Sequence, residues 1–125
     1  MINVMFPTSK DIYIEVNGKK LAVVESYKAK TSCDSKYIEA LGESEPIGTV
    51  SGRIRHEIEL SKVYVCNTAD NVNFHELSNF NLVIVKPDKK IIYSGCALSS
   101  ISEAASINDT ILENIKIIAT KRIEL

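Results

Sequence analysis

Residues 11–16 alternate, with Ile12, Ile14 and Val16 on one face and Asp11, Tyr13 and Glu15 on the other. That is the period-two pattern of a half-buried strand. Asn17-Gly18 follows, the pair most ready to take the left-handed angles of a type I′ hairpin turn, and residues 20–31 are its predicted return strand. Over residues 32–47 the alternation weakens. Gly42, Glu43, Glu45 and Pro46 mark a polar loop there, with one short strand predicted over 36–40. The longest strand candidate covers 49–65. Ile54, His56, Ile58 and Leu60 share one of its faces, and Arg53, Arg55, Glu57 and Glu59 the other. Beyond Leu60 the apolar residues change parity to Val63 and Val65, which predicts a bulge at Ser61 or Lys62.

One helix is predicted, over 70–79. Asn73 and Glu76 have capping-box spacing, Phe74, Leu77 and Phe80 recur at a helical interval, and Asp70 and Glu76 straddle the helix start, where carboxylates cap and favour the dipole. A strand over 81–86 is followed by Lys86-Pro87-Asp88-Lys89, a type I turn with proline at its second position. Its partner runs over 90–102 with Gly95 as a bend. Residues 106–109 break the chain, and 110–123 close it with Ile111, Ile115, Ile117 and Ala119 facing one way. The predicted order is β-β-(loop)-β-α-β-β-β: mainly β, one antiparallel domain over 1–125 with a single small helix, and residues 1–10 as a flexible N-terminal arm.

Composition agrees with this reading. Seventeen isoleucines and ten valines in 125 residues are a heavy β-branched load. A chain of this size buries roughly two-thirds of its unfolded surface, enough for a core without staples. Fifteen basic against sixteen acidic residues leave a net charge of −1, so no bulk field favours nucleic acid or anionic lipid. The first ten residues lack a basic segment followed by an apolar one, so no secretory leader is expected. No apolar run is long enough to span a bilayer as a helix. Cys33, Cys66 and Cys96 are odd in number, about 30 residues apart, and form no CxxC pair, which predicts reduced thiols made in a cytoplasm rather than a disulfide framework or a zinc site. They are expected mostly buried, with Cys33, in a polar stretch, placed for exposure.

Strand length carries the strongest functional signal. A compact chain of this size has a diameter of roughly 35 Å, whereas thirteen residues over 53–65 extend about 43 Å at roughly 3.3 Å each. Such a strand bends sharply or projects beyond its own domain, and a projecting edge left unpaired invites another chain. The pattern therefore points to assembly. The stripe of Arg53, Arg55, Glu57 and Glu59 reads in two ways, as a solvated sheet face or as a face lining a water-filled channel built from neighbouring copies.

Catalytic, cofactor-binding and metal-binding residues are not identified. His56 and His75 are the only histidines. The former falls on the apolar face of a strand as a core or interface residue, and the latter at an exposed helix start. No HExxH, GxSxG, Walker A or GxGxxG pattern occurs, so no enzyme is expected.

Three stretches resemble the tail tube protein of contractile phage tails, in particular the small tube proteins of defective prophages and R-type bacteriocins: Ile14-Glu15-Val16-Asn17-Gly18-Lys19-Lys20-Leu21-Ala22, Gly48-Thr49-Val50-Ser51-Gly52 and Lys89-Lys90-Ile91-Ile92-Tyr93-Ser94-Gly95-Cys96. The order of elements agrees from about residue 11 onward. The resemblance implies two packed antiparallel sheets forming a β-sandwich or barrel with a flanking helix. It further implies homohexameric rings stacked into a tube, with four long strands per subunit around a lumen. DNA would pass only as cargo, and would slide more readily past a mixed Arg/Glu lining than past a basic one that grips phosphates. The implied partners are other copies, a sheath protein, and baseplate and terminator proteins. The implied location is the host bacterial cytoplasm during assembly and then the particle tail, with no membrane and no cofactor. In that family the loop matching 32–47 makes contacts between stacked rings, which makes Glu43 and Glu45 candidate inter-ring residues. A tail terminator or baseplate ring protein of the same machine shares these features. The competing class is an OB-type nucleic-acid-binding barrel, which places a helix between its third and fourth major strands. It needs aromatic platforms interleaved with basic residues, whereas Tyr13, Tyr27, Tyr37, Tyr64 and Tyr93 are scattered.

Overall fold

The structure, a computed structural model, describes residues 6, 8–65 and 72–125. Thr8 caps a 3-10 turn at Ser9–Asp11, and its backbone N–H donates to Asp11 Oδ2 at 3.0 Å. Ten strands follow among the described residues: β1 (Tyr13–Val16), β2 (Lys19–Lys20), β3 (Val24–Cys33), β4 (Lys36–Ile38), β5 (Gly48–Val50), β6 (Ile54–Val63), β7 (Phe80–Val85), β8 (Lys90–Ala104), β9 (Leu112–Ala119) and β10 (Lys121–Glu124). The protein is mainly β, in two antiparallel layers that share β8. One layer has the order β2-β1-β7-β8-β10 and the other β8-β9-β6-β3, while β4 and β5 pair only with each other.

β8 serves both layers because it turns a corner. Its first half pairs with β7 and β10, and its residues 97–104 pair with β9. At the corner Gly95 has φ +62, and a Cβ there would collide with the Thr120 side chain. Thr120 marks the matching break between β9 and β10, with its backbone N–H and its Oγ1 both donating to Ser94 O, at 3.1 and 3.0 Å. The expected bend at Gly95 is present, and the expected last strand is two strands hinged at Thr120.

Facing residues of the two layers make the core: Ile14, Val16, Leu82, Ile84, Ile91 and Tyr93 from one, Ile58, Leu60, Ile115 and Ile117 from the other. Phe80 and Phe74 close one end, edge to face with ring centroids 6.2 Å apart.

Several expectations are corrected. The predicted helix is not formed over the described residues 72–79. They make one turn, in which Asn73 O and Phe74 O accept from Glu76 N–H and Leu77 N–H at 3.2 and 3.4 Å, and Asn73 Oδ1 accepts from His75 N–H at 3.1 Å. Asn79 then takes φ +50 and turns the chain into β7. The helical spacing of Phe74, Leu77 and Phe80 instead places three side chains against the core. Asp70 lies outside the described residues. Among the described residues the OB-type layout lacks the helix it rested on.

The first hairpin turn is present, with Asn17 at φ +49 and Gly18 at φ +83, but its return strand stops at Lys20. Val23, at φ +50, starts a new course, and β3 pairs with β6 in the other layer. The long strand is likewise two, β5 and β6, parted at residues 51–53. The bulge expected at Ser61 or Lys62 sits across the ladder on β3, where the register shifts between Val24 and Ser26. β6 runs straight through with Lys62 buried in the inward row.

Candidate assembly surface

The second layer presents its outward face as a grid of charges and hydroxyls. In β6, Arg55, Glu57 and Glu59 point out while His56, Ile58 and Leu60 point in, because side chains alternate across a pleated strand. Register places Lys28 and Lys116 on either side of Glu59, Lys30 beside Glu57, and Ser32 beside Arg55. Lys116 Nζ lies 4.0 Å from Glu59 Oε1, and Arg55 Nη2 lies 3.3 Å from Asp34 Oδ2. These side chains are more than half exposed, so each pair contributes about 0–1 kcal/mol. Their physical consequence is a surface of alternating sign.

Of the four stripe residues, three lie together on β6. Arg53 precedes the strand, and its carbonyl accepts from Asp34 N–H at 3.1 Å. Lys28, Lys30 and Lys116 complete the grid; the alternation over 110–123 puts Lys116 on the polar face, and Lys28 and Lys30 were not singled out from the sequence. The spacing of Ser26, Lys28, Lys30 and Ser32 at every second position is the signal that marks β3's outward row.

Both margins of this layer are free. Among the described residues β3 pairs only with β6, and residues 97–104 of β8 pair only with β9. Each margin offers a row of unpaired N–H and C=O groups, the kind of template that another strand completes.

Between β3 and β6 the chain makes an excursion, residues 34–53, built on the β4–β5 ribbon. Gly52 fits at its base because a Cβ would strike the Asp34 carbonyl. Ile47 N–H donates to Ile38 O at 2.9 Å, and the tip turns at Gly42, φ +86. Tyr37, Ile38, Leu41, Ile47 and Val50 are all exposed on it. Glu43 and Glu45 lie on the exposed tip, and neither makes an ion pair among the described residues.

At the ribbon end the two layers part around a cleft of about 670 Å³, lined among others by Thr31, Ile54, His56, Ile84, Tyr93 and Arg122. His56 is a core residue. It is buried, its Nδ1 lies 3.0 Å from Thr31 Oγ1, and its ring meets Tyr93 edge-on at 6.0 Å. His75 is exposed on the 72–79 turn. At the cleft rim Arg122 Nη2 donates to Glu124 Oε1 at 2.8 Å and Lys89 Nζ to the same oxygen at 3.3 Å. These bonds, that from Arg122 first, hold the Glu124 carboxyl below its ordinary range.

Cys33 is exposed and Cys96 buried, both as free thiols, while Cys66 lies outside the described residues. Burial pushes the Cys96 thiol up to about 11. Because the thiolate is the nucleophile, a maleimide added to the folded protein at pH 8 is expected to label Cys33 and spare Cys96 until denaturant is added. Peptide mass mapping checks this. Among the described residues no group of three or more His, Cys, Asp or Glu is placed to hold a metal ion.

The sequence matches no family model and no curated protein. The fold matches widely. The tail, with C6 symmetry, of an empty gene transfer agent particle contains a chain that superposes with TM-score 0.72 at 15% identity, covering 96% of this chain and 98% of that one. The tube-terminating cap of the anti-feeding prophage gives 0.73 at 13%, covering 100% and 95%. The sheath–tube complex of the extracellular contractile injection system PVC, in its extended state, gives 0.69 at 17%, covering 98% and 93%. At these identities the likeness is one of fold. This chain shares its fold with chains of the gene transfer agent tail, the anti-feeding prophage tube-terminating cap and the PVC sheath–tube complex.

Proposed function

We propose that this protein is the inner-tube subunit of a contractile phage tail or phage-like particle and acts by self-assembly. The observation that carries the reading is the pair of free margins on the four-stranded layer. The β3 margin of one copy pairs with residues 97–104 of β8 in the next, and six such layers close into one barrel, in keeping with the C6 symmetry of the gene transfer agent tail. Arg55, Glu57, Glu59 and the facing lysines then line the lumen, with Arg53 at its rim. Rings stack head to tail, and the ribbon carrying Glu43 and Glu45 reaches between them. A sheath grips the outside, baseplate and terminator proteins bound the two ends, and DNA is only passing cargo held loosely by a surface of alternating sign. Residues 1–125 act as one domain. Assembly takes place in the host bacterial cytoplasm, before the tail takes up its place in the particle. The work needs no catalytic residue.

Negative-stain electron microscopy of concentrated protein, with light scattering on a sizing column, tests this. Rings and stacked tubes with a central hole are the expected result. Single rings that never stack favour the second reading, a terminator of the same machine, which the likeness to the anti-feeding prophage cap supports. A monomer that binds single-stranded oligonucleotide overturns both.

A further inference from the structure

We infer that the Ile107 loop tip of one copy seats in the cleft between the layers of the next copy in the stack. The inference rests on the head-to-tail stacking proposed above and names the contact that holds one ring on another.

The cleft is a built site. It is an open cleft of about 670 Å³, roomy enough to receive a protruding side chain of another copy. Ile84, Ile91 and Tyr93 give it an apolar floor, and Ile54 stands at its mouth 62% exposed. At its rim Lys86, Lys89 and Arg122 outnumber the one carboxylate there, Glu124, which pairs with Arg122 and Lys89. Lys86 makes no ion pair among the described residues.

The complementary feature lies at the far end of the same strand. β8, fifteen residues long, starts beside the 86–89 turn at the cleft and ends at the loop joining it to β9. That loop is preformed. Asp109 N–H donates to Ser106 O at 3.2 Å, Asn108 holds φ +60, and Asp109 Oδ1 accepts from Thr110 N–H at 2.7 Å. Ile107 stands on it 93% exposed. Glu103 and Asp109 flank it, both exposed and without an ion pair among the described residues. An apolar tip between two carboxylates thus matches an apolar cleft with a basic rim, and head-to-tail stacking brings opposite ends of identical subunits together. The ribbon, the other apolar projection, leaves the sandwich at the end where the cleft opens. In such a stack it points away from the cleft of the copy it reaches.

The test is cysteine pairing in a C33S/C66S background. Tubes of the I54C/I107C double variant are oxidised and run on denaturing, non-reducing gels. The expected result is a ladder of dimers, trimers and higher species that neither single variant gives, with no ladder from L41C/I54C. A ladder from L41C/I54C alone puts the ribbon in the cleft and overturns the inference. Tubes seen by microscopy without a ladder from I54C/I107C also overturn it, and leave the tube reading standing. If no rings or tubes form at all, the tube reading fails and this inference falls with it. Ile107→Asp gives a second readout. Rings are expected to persist while stacks shorten at least tenfold, and stacks of unchanged length overturn the proposal.

Discussion

Replacing Lys62 by alanine is expected to lower stability by about 3–5 kcal/mol, read as a fall in the urea midpoint at unchanged slope. Lys62 is the one lysine in the buried set. Its Nζ lies 3.3 Å from Glu113 Oε1, with side chains 6% and 15% exposed. The two residues are directly opposed on β6 and β9, so the pair needs no loop to hold it. Removing one partner strands the other charge away from water, and that penalty outweighs what the intact pair contributes. The double replacement Lys62→Met with Glu113→Leu is expected to come within about 1 kcal/mol of the parent, because apolar side chains of similar volume avoid the desolvation cost. A double variant as unstable as Lys62→Ala would show that the site depends on the charges themselves.

Gly95→Ala is expected to cost about 2–5 kcal/mol. Two causes combine: an L side chain in the left-handed region costs about 1–2 kcal/mol, and a Cβ at this corner meets the Thr120 side chain, an overpacking cost of about 1–3 kcal/mol. Gly18 separates them. It has φ +83, but nothing lies within 4 Å of where its Cβ would stand, so Gly18→Ala carries the conformational cost alone. Equal losses at the two glycines, measured by urea unfolding, would mean that the Thr120 contact yields without cost. The larger loss expected at Gly95 would locate the strain at the corner where one strand passes from layer to layer.

Much of the candidate surface was legible in the chain. The alternation over 54–60 put Arg55, Glu57 and Glu59 on one face, and the structure places them there. The lysines that complete the grid come from β3 and β9 through register, which no local pattern states. The stretch 32–47 was readable as a polar loop with a short strand. Its exposed Tyr37, Leu41 and Ile47 look like core residues until the ribbon is seen to pair only with itself. The free margins and the cleft are properties of pairing and of layer separation, and have no sequence signature.

By itself the sequence determined the strand faces, the Asn17-Gly18 and 86–89 turns and the Gly95 bend, because each depends on a few adjacent residues and on which dihedrals they tolerate. Tertiary structure decided the rest. It made a turn of residues 72–79, since Phe74 and Phe80 pack on each other and Asn79 reverses the chain. It turned Lys62 inward, since Glu113 waits across the ladder to neutralise it, and it put the bulge on β3 instead of β6. It also parted the return strand at Val23 and sent β3 to the other layer. The placements of Lys62, of the bulge and of β3 rest on pairing between residues distant in sequence, and a period-two pattern specifies the face of a strand without specifying its partner.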